Sequence, residues 1–197
     1  MTVRRIVFAM VVGIAAVALF SCGGSSARGG SPDGFELVGS VTEEELETIN
    51  ANMVANKMIS AIGVGSADDE KAALKVAEHD TRSKLAAAVS LQATGLSEDF
   101  DEVAKGAAKG LFESGTKQIV SANISGAPTY KKVKQYNKKL GQYKFYTLMY
   151  IDPEIVKNVF AEEINKINDD ALHAQKDKMM AKLDAAIEYK KSNFGGK

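Results

Sequence analysis

Cysteine is almost missing from this sequence. The 197 residues contain one, Cys22, and a single cysteine excludes an internal disulfide. Histidine is nearly as scarce. His79 and His173 fall on different predicted helices and lack the i, i+4 spacing that sets two ligands on one helix face for zinc. His79 and Asp80 are adjacent in sequence, which puts their side chains about 100° apart on a helix. No G-x-S-x-G or related nucleophile motif occurs. An excess of charge is missing too: 25 basic residues face 25 acidic ones. Without residues 1–21, which hold Arg4 and Arg5 and no acid, 23 basic residues face 25 acidic ones. That weakly negative balance argues against general nucleic-acid binding. The carboxylates cluster at predicted helix starts, where they have a structural role. The chain therefore reads as non-enzymatic, with no cofactor and no metal site.

What is present begins at the N-terminus. Arg4 and Arg5 precede an apolar run from Ile6 to Phe20, which has the length of an export signal and is too short to span a membrane comfortably. It ends Leu19-Phe20-Ser21-Cys22, which resembles the bacterial lipobox. A lipidation reading explains the position and the uniqueness of Cys22. Its thiol would carry a diacylglyceryl group and become the first mature residue, and two or three acyl chains hold more firmly than one. Gly23 follows, which implies release to the outer membrane. Gly23 to Gly34 is a Gly/Ser tether, spanning about 20 Å root-mean-square. The predicted organisation is a signal peptide over 1–21, a lipidated tether over 22–34, a folded domain over 35–168 and a helical extension over 169–197.

Within the domain, Thr42 and Glu45 have capping-box spacing, and Leu46, Ile49, Met53 and Val54 form a stripe. A helix over 43–56 is predicted. Residues 58–64 form a short apolar run, read as a buried strand. Gly63 and Gly65 are read as a turn into an Ala-rich helix, with Ser66 and Asp69 at capping spacing. Ala73, Ala77, Leu85, Ala88 and Val89 are its apolar stripe. G-x-G between strand and helix also opens a dinucleotide fingerprint. The third glycine position holds Asp68, however, and three carboxylates there would repel a pyrophosphate, so the plain turn is preferred. Gly95 is expected to stop that helix, and a second is expected over 97–115, where Gly106 and Gly110 suit close packing.

Extended segments are predicted over 119–124 and 130–136, and the strongest strand over 143–151, with the last two as hairpin partners. Six lysines lie between 131 and 144. They either face acidic polymer or lipid head groups or guard an exposed strand edge, and the second reading is adopted. Asp152-Pro153 is an N-cap followed by a first-turn proline. Unbroken, the helix from there to Lys191 would run about 60 Å, although Asn168-Asp169-Asp170 suggests an interruption. The stretch 171–191 is rich in lysine and poor in large apolar residues. It is expected to supply a partner or self-association surface, with a fold-back onto the sheet as the alternative.

The lipobox, the G-V-G-S of Gly63 to Ser66, the helix carrying Ala73, Ala77, Arg82, Leu85 and Ala86, and a strand from Tyr143 to Asp152 together resemble the LPP-type twenty-kilodalton bacterial lipoprotein family. Its relatives include flagellar outer-membrane disc and assembly lipoproteins. The likeness covers about residues 57–152. It implies a small α+β domain that assembles with partners at the cell envelope, and it brings no catalytic residues. The expected fold class is α+β: a small antiparallel sheet in β-α-α-β-β order, helices packed on one face, and a C-terminal helical extension. The expected function is that of a lipoprotein held at the outer membrane by a lipid anchor at Cys22, its domain in the periplasm. It would act as a structural or assembly module with an envelope protein partner or a second copy. The alternative is a lipoprotein that binds a ligand or peptidoglycan.

Overall fold

A computed structural model of the chain describes residues 33–98, 102–167 and 170–187. The fold is α+β, with a four-stranded antiparallel sheet and five helices among the described residues. In chain order the elements are β1 (Glu36–Leu37), α1 (Glu43–Ala55), β2 (Ile59–Ala67), α2 (Glu70–Glu98) and α3 (Glu102–Ile119). A π-helical turn (Val120–Ile124) follows, then β3 (Lys131–Asn137), β4 (Gln142–Ile151), α4 (Pro153–Asn165) and α5 (Asp170–Ile187).

Several boundaries follow directly from local chemistry. The Thr42 hydroxyl accepts the Glu45 N–H at 3.1 Å and starts α1, with three glutamates in its first turn where the helix dipole favours them. The Asp152 carboxylate accepts the Glu154 N–H at 2.9 Å, and Pro153 follows as the first helical residue of α4, whose missing N–H costs nothing there. At the tip of the β3–β4 hairpin the Asn137 side-chain oxygen accepts from the Lys139 and Leu140 amides, and Gly141 takes φ +67° to close the turn.

The strand order is β1-β3-β4-β2, which differs from the expected one. β2 crosses over to pair with β4, from Ile59 opposite Ile151 to Ala67 opposite Tyr143. The segment 119–124 is not a strand. Ile119 ends α3 and the π-helical turn continues from it. The apolar residues here follow the helix: Ala108, Phe112 and Ile119 are buried, and the wider turn brings Ile124 into the same core. The missing strand position is taken by β1, which lies beside Gln135 and Tyr136 of β3.

Helices cover both faces of the sheet, not one. Leu46 and Met53 of α1 meet Val133, Tyr146 and Leu148 on one side. On the other, Ile59, Ala61, Met149 and Ile151 meet Leu85 and Val89 of α2, followed outward by residues of α3, α4 and α5. Phe112 of α3 and Phe160 of α4 meet edge to face at 5.2 Å, a favoured aromatic geometry. The C-terminal helix is not an outlying extension. Met179, Leu183 and Ile187 of α5 are buried in this main core, and Lys57 donates to the Ala185 carbonyl at 3.1 Å. α4 and α5 are separate helices, so no 60 Å rod exists. The fold-back alternative describes α5 better, although what it covers is chiefly α4.

The glycine pair also differs from expectation. β2 runs through Gly63, Gly65 and Ser66 as far as Ala67, so the glycines form no turn and Ser66 caps nothing. Asp69 caps α2 instead, accepting the Ala72 N–H at 2.8 Å. α2 continues past Gly95, which does not stop it, to Glu98. Gly106 and Gly110 of α3 are exposed with open space around them, so close packing does not account for them.

Candidate functional site

Gly63 and Gly65 face α2, and they set how the largest helix lies on the sheet. A Cβ at Gly63 would sit 2.3 Å from the Thr81 backbone nitrogen, and one at Gly65 would sit 2.2 Å from that of Ala77. Ala73, Ala77 and Thr81, four residues apart, are fully buried at this contact. Backbone therefore meets backbone, with the Thr81 hydroxyl wedged between the Ala77 carbonyl and the Thr147 side chain. The small-residue stripe read from the sequence has this purpose. The space beside the glycines, where a dinucleotide fingerprint would admit phosphate, is filled by the helix backbone.

β2 is the outermost strand of the sheet on its side. α2 reaches over its free edge with two side chains. The Asp80 carboxylate accepts the Val64 N–H at 2.8 Å, the Lys84 ammonium donates to the Ile62 carbonyl at 3.1 Å, and the two side chains pair at 2.7 Å. Partial burial opposes the charge on Asp80, but the hydrogen bonds from Lys84 and Val64 outweigh it. Its carboxyl therefore titrates below the ordinary value. Sequence reasoning considered Asp80 only as a neighbour of His79. The Asp-to-Lys spacing of four on a helix was the available signal for the pair.

Two concavities flank α2. A cleft of ≈ 220 Å³ between α2 and α3 is lined by Ser90, Thr94, Ser97, Phe112 and Thr116, among others. It is smaller than the ~300–1,000 Å³ of typical ligand sites. A shallower groove of ≈ 410 Å³ lies where α1, β2, α2 and α5 meet, lined by Val54, Met58, Ile59, Leu91 and Gln92. Leu91 and Val54 are among the most exposed apolar residues described, and the buried Gln92 side-chain oxygen has no hydrogen-bond partner.

The lysines of the β3–β4 region are mostly engaged. Lys131 pairs with Glu45 at 3.2 Å, Lys134 with Glu70 at 2.5 Å and Lys138 with Glu36 at 2.7 Å. Lys144 lies over the rings of Phe35 and Tyr146, 5.3 and 5.1 Å from their centroids. Burial pushes the Tyr146 hydroxyl above its ordinary value, with Glu43 adding to the shift and Lys144 opposing it. Burial works against the charge on Lys144, but Tyr146 and Glu43 more than compensate and raise it. Lys132 and Lys139 are exposed.

Cys22, with residues 1–21 and most of the tether, lies outside the described residues. His79 is exposed on α2, while the side chain of His173 lies outside the described part. Among the described residues no group of three or more His, Cys, Asp or Glu side chains is placed to hold a metal, and no helix is long and apolar enough to cross a membrane. The chain matches no family model, no curated protein and no solved structure.

Proposed function

We propose that this chain is a non-enzymatic lipoprotein of the outer membrane, with Cys22 lipidated and the domain facing the periplasm as a structural or assembly module of the cell envelope. The observation that carries this reading is Cys22 itself, the sole cysteine. It stands at the end of an apolar segment behind two arginines and before a Gly/Ser stretch that leads into the folded domain at Phe35. A lipid anchor accounts for the position of a lone cysteine at the end of such a segment. The same reading gives the domain an envelope protein or a second copy as its partner.

Mass spectrometry of the mature N-terminus tests the anchor. The expected product begins at an acylated Cys22, and a retained 1–21 segment with a free thiol overturns the reading. Cross-linking in intact envelopes, followed by recovery of the tethered protein, tests the assembly role, for which a defined partner or a ring of copies is expected. The second reading, capture of a ligand or of peptidoglycan, is favoured by the groove between Val54 and Leu91, where an unpartnered Gln92 oxygen lies among apolar side chains. A monomer that retains peptidoglycan fragments through chromatography would support it over the assembly role.

A further inference from the structure

We infer that the tip of the β3–β4 hairpin is a membrane-contact surface that holds the domain down on an anionic phospholipid headgroup layer. The inference rests on the lipid anchor at Cys22.

The folded chain begins at the hairpin. Asn137 donates its side-chain amide to the Asp33 carbonyl at 2.9 Å, and Lys138 pairs with Glu36 at 2.7 Å. Asp33, near the end of the tether, is therefore fixed beside the tip. Ten residues separate Cys22 from Asp33, and covalent geometry limits their reach to about 40 Å. The anchor thus keeps this end of the molecule within reach of the bilayer at a high effective concentration, so a weak contact is enough to orient the domain.

The tip has the chemistry for such a contact. Leu140 is 62% exposed at the turn, directly after the exposed Lys138 and Lys139. Behind it Tyr136 and Tyr143 lie ring to ring at 4.7 Å. A protruding leucine preceded by two lysines and backed by tyrosines suits a boundary that is apolar on one side and anionic on the other. The groove lined by Leu91 lies at the far end of β2, beside Ile59, whereas the hairpin lies beyond Ala67. A domain resting on its hairpin therefore holds Leu91 away from the membrane.

The test uses the full mature protein in vesicles. Acylation consumes the Cys22 thiol, so Leu140→Cys and Leu91→Cys each supply one reactive site for a fluorophore. Headgroup-level nitroxide lipid is expected to quench the label at position 140 and to leave position 91 bright. Quenching should be stronger in phosphatidylglycerol-containing vesicles than in phosphatidylcholine alone, and should weaken with salt. Lys139→Ala in the Leu140→Cys background should lower the contact equilibrium constant about fivefold, the worth of one lysine near an anionic surface. Equal quenching at both positions, or quenching at 140 indifferent to lipid charge, overturns the inference. The mass spectrum of the same sample separates the two readings. An unmodified Cys22 overturns the anchor and this contact together, whereas acylated protein without selective quenching overturns only the contact.

Discussion

At the scale of single residues, glycine carries opposite meanings at different places in this chain. Gly65→Ala puts a methyl group against the backbone of Ala77, which cannot swing aside as a flexible side chain would. β2 and α2 must separate, at a cost of about 1–3 kcal/mol. Gly110→Ala meets open space on a helix and should stabilise by about 0.5–1 kcal/mol, because glycine loses more backbone freedom on folding. Urea titrations of the two variants should therefore shift their midpoints in opposite directions, and equal shifts would refute the backbone-contact account of Gly65. The sequence shows both glycine pairs with equal clarity, but the difference between them is non-local. Nothing near Gly63 and Gly65 says that Ala73, Ala77 and Thr81 will lie within a bond length or two of a missing Cβ. A turn satisfies the same local pattern. The Thr42–Glu45 and Asp152–Pro153 caps were legible because their partners lie two or three residues away.

At the scale of elements, the free edge of β2 is closed by a helix and not by another strand. An open edge invites pairing with another chain, and Asp80 and Lys84 occupy its Val64 N–H and Ile62 carbonyl. Asp80→Ala removes that cover. It should cost about 1 kcal/mol or less, since the pair is half exposed, and should increase self-association seen by sedimentation. A variant that stays as monodisperse as the parent would remove the protective role. The same carboxylate gives a pH signature. Its pKa is depressed on folding from an ordinary 3.8, so its contribution is complete above that value and is lost as pH falls through the lower folded value. Asp80→Asn should flatten this acid limb of the stability curve. α5 is a second case. Met179, Leu183 and Ile187 are buried against the core, so deleting residues 169–197 exposes apolar surface of α4 and should lower the melting temperature sharply. An unchanged melting temperature would restore an independent extension. Apolar runs and their length placed β3 and β4 well in the sequence, and the first part of β2, but stopped β2 short at the glycines that it runs through. Residues 119–124 failed because Ile119, Val120 and Ile124 fit a strand as readily as the end of a helix, and only burial with Ala108 and Phe112 decides between them.

At the scale of the whole molecule, the α+β class was readable, but the layering was not. The stripe of α1 is as apolar as a helix on the main core, and nothing in it reveals that Leu46 and Met53 take the opposite face of the sheet. Pairing of β2 with β4 is hidden for a similar reason, since each strand alone is only a hydrophobic run. That pairing joins residues 59–67 to 143–151, and its consequence concerns the order of events during folding. Closing so long an intervening segment is entropically expensive and slow. β2 and α2 are consecutive and already in backbone contact, so they form the early unit. A chain synthesised N-terminus first carries a half-built sheet until β4 arrives to complete it. For that interval α2 already covers one face of β2 and, through Asp80 and Lys84, part of its outer edge, but the inner edge that β4 will occupy has no neighbour, and an unpaired edge invites association with other chains.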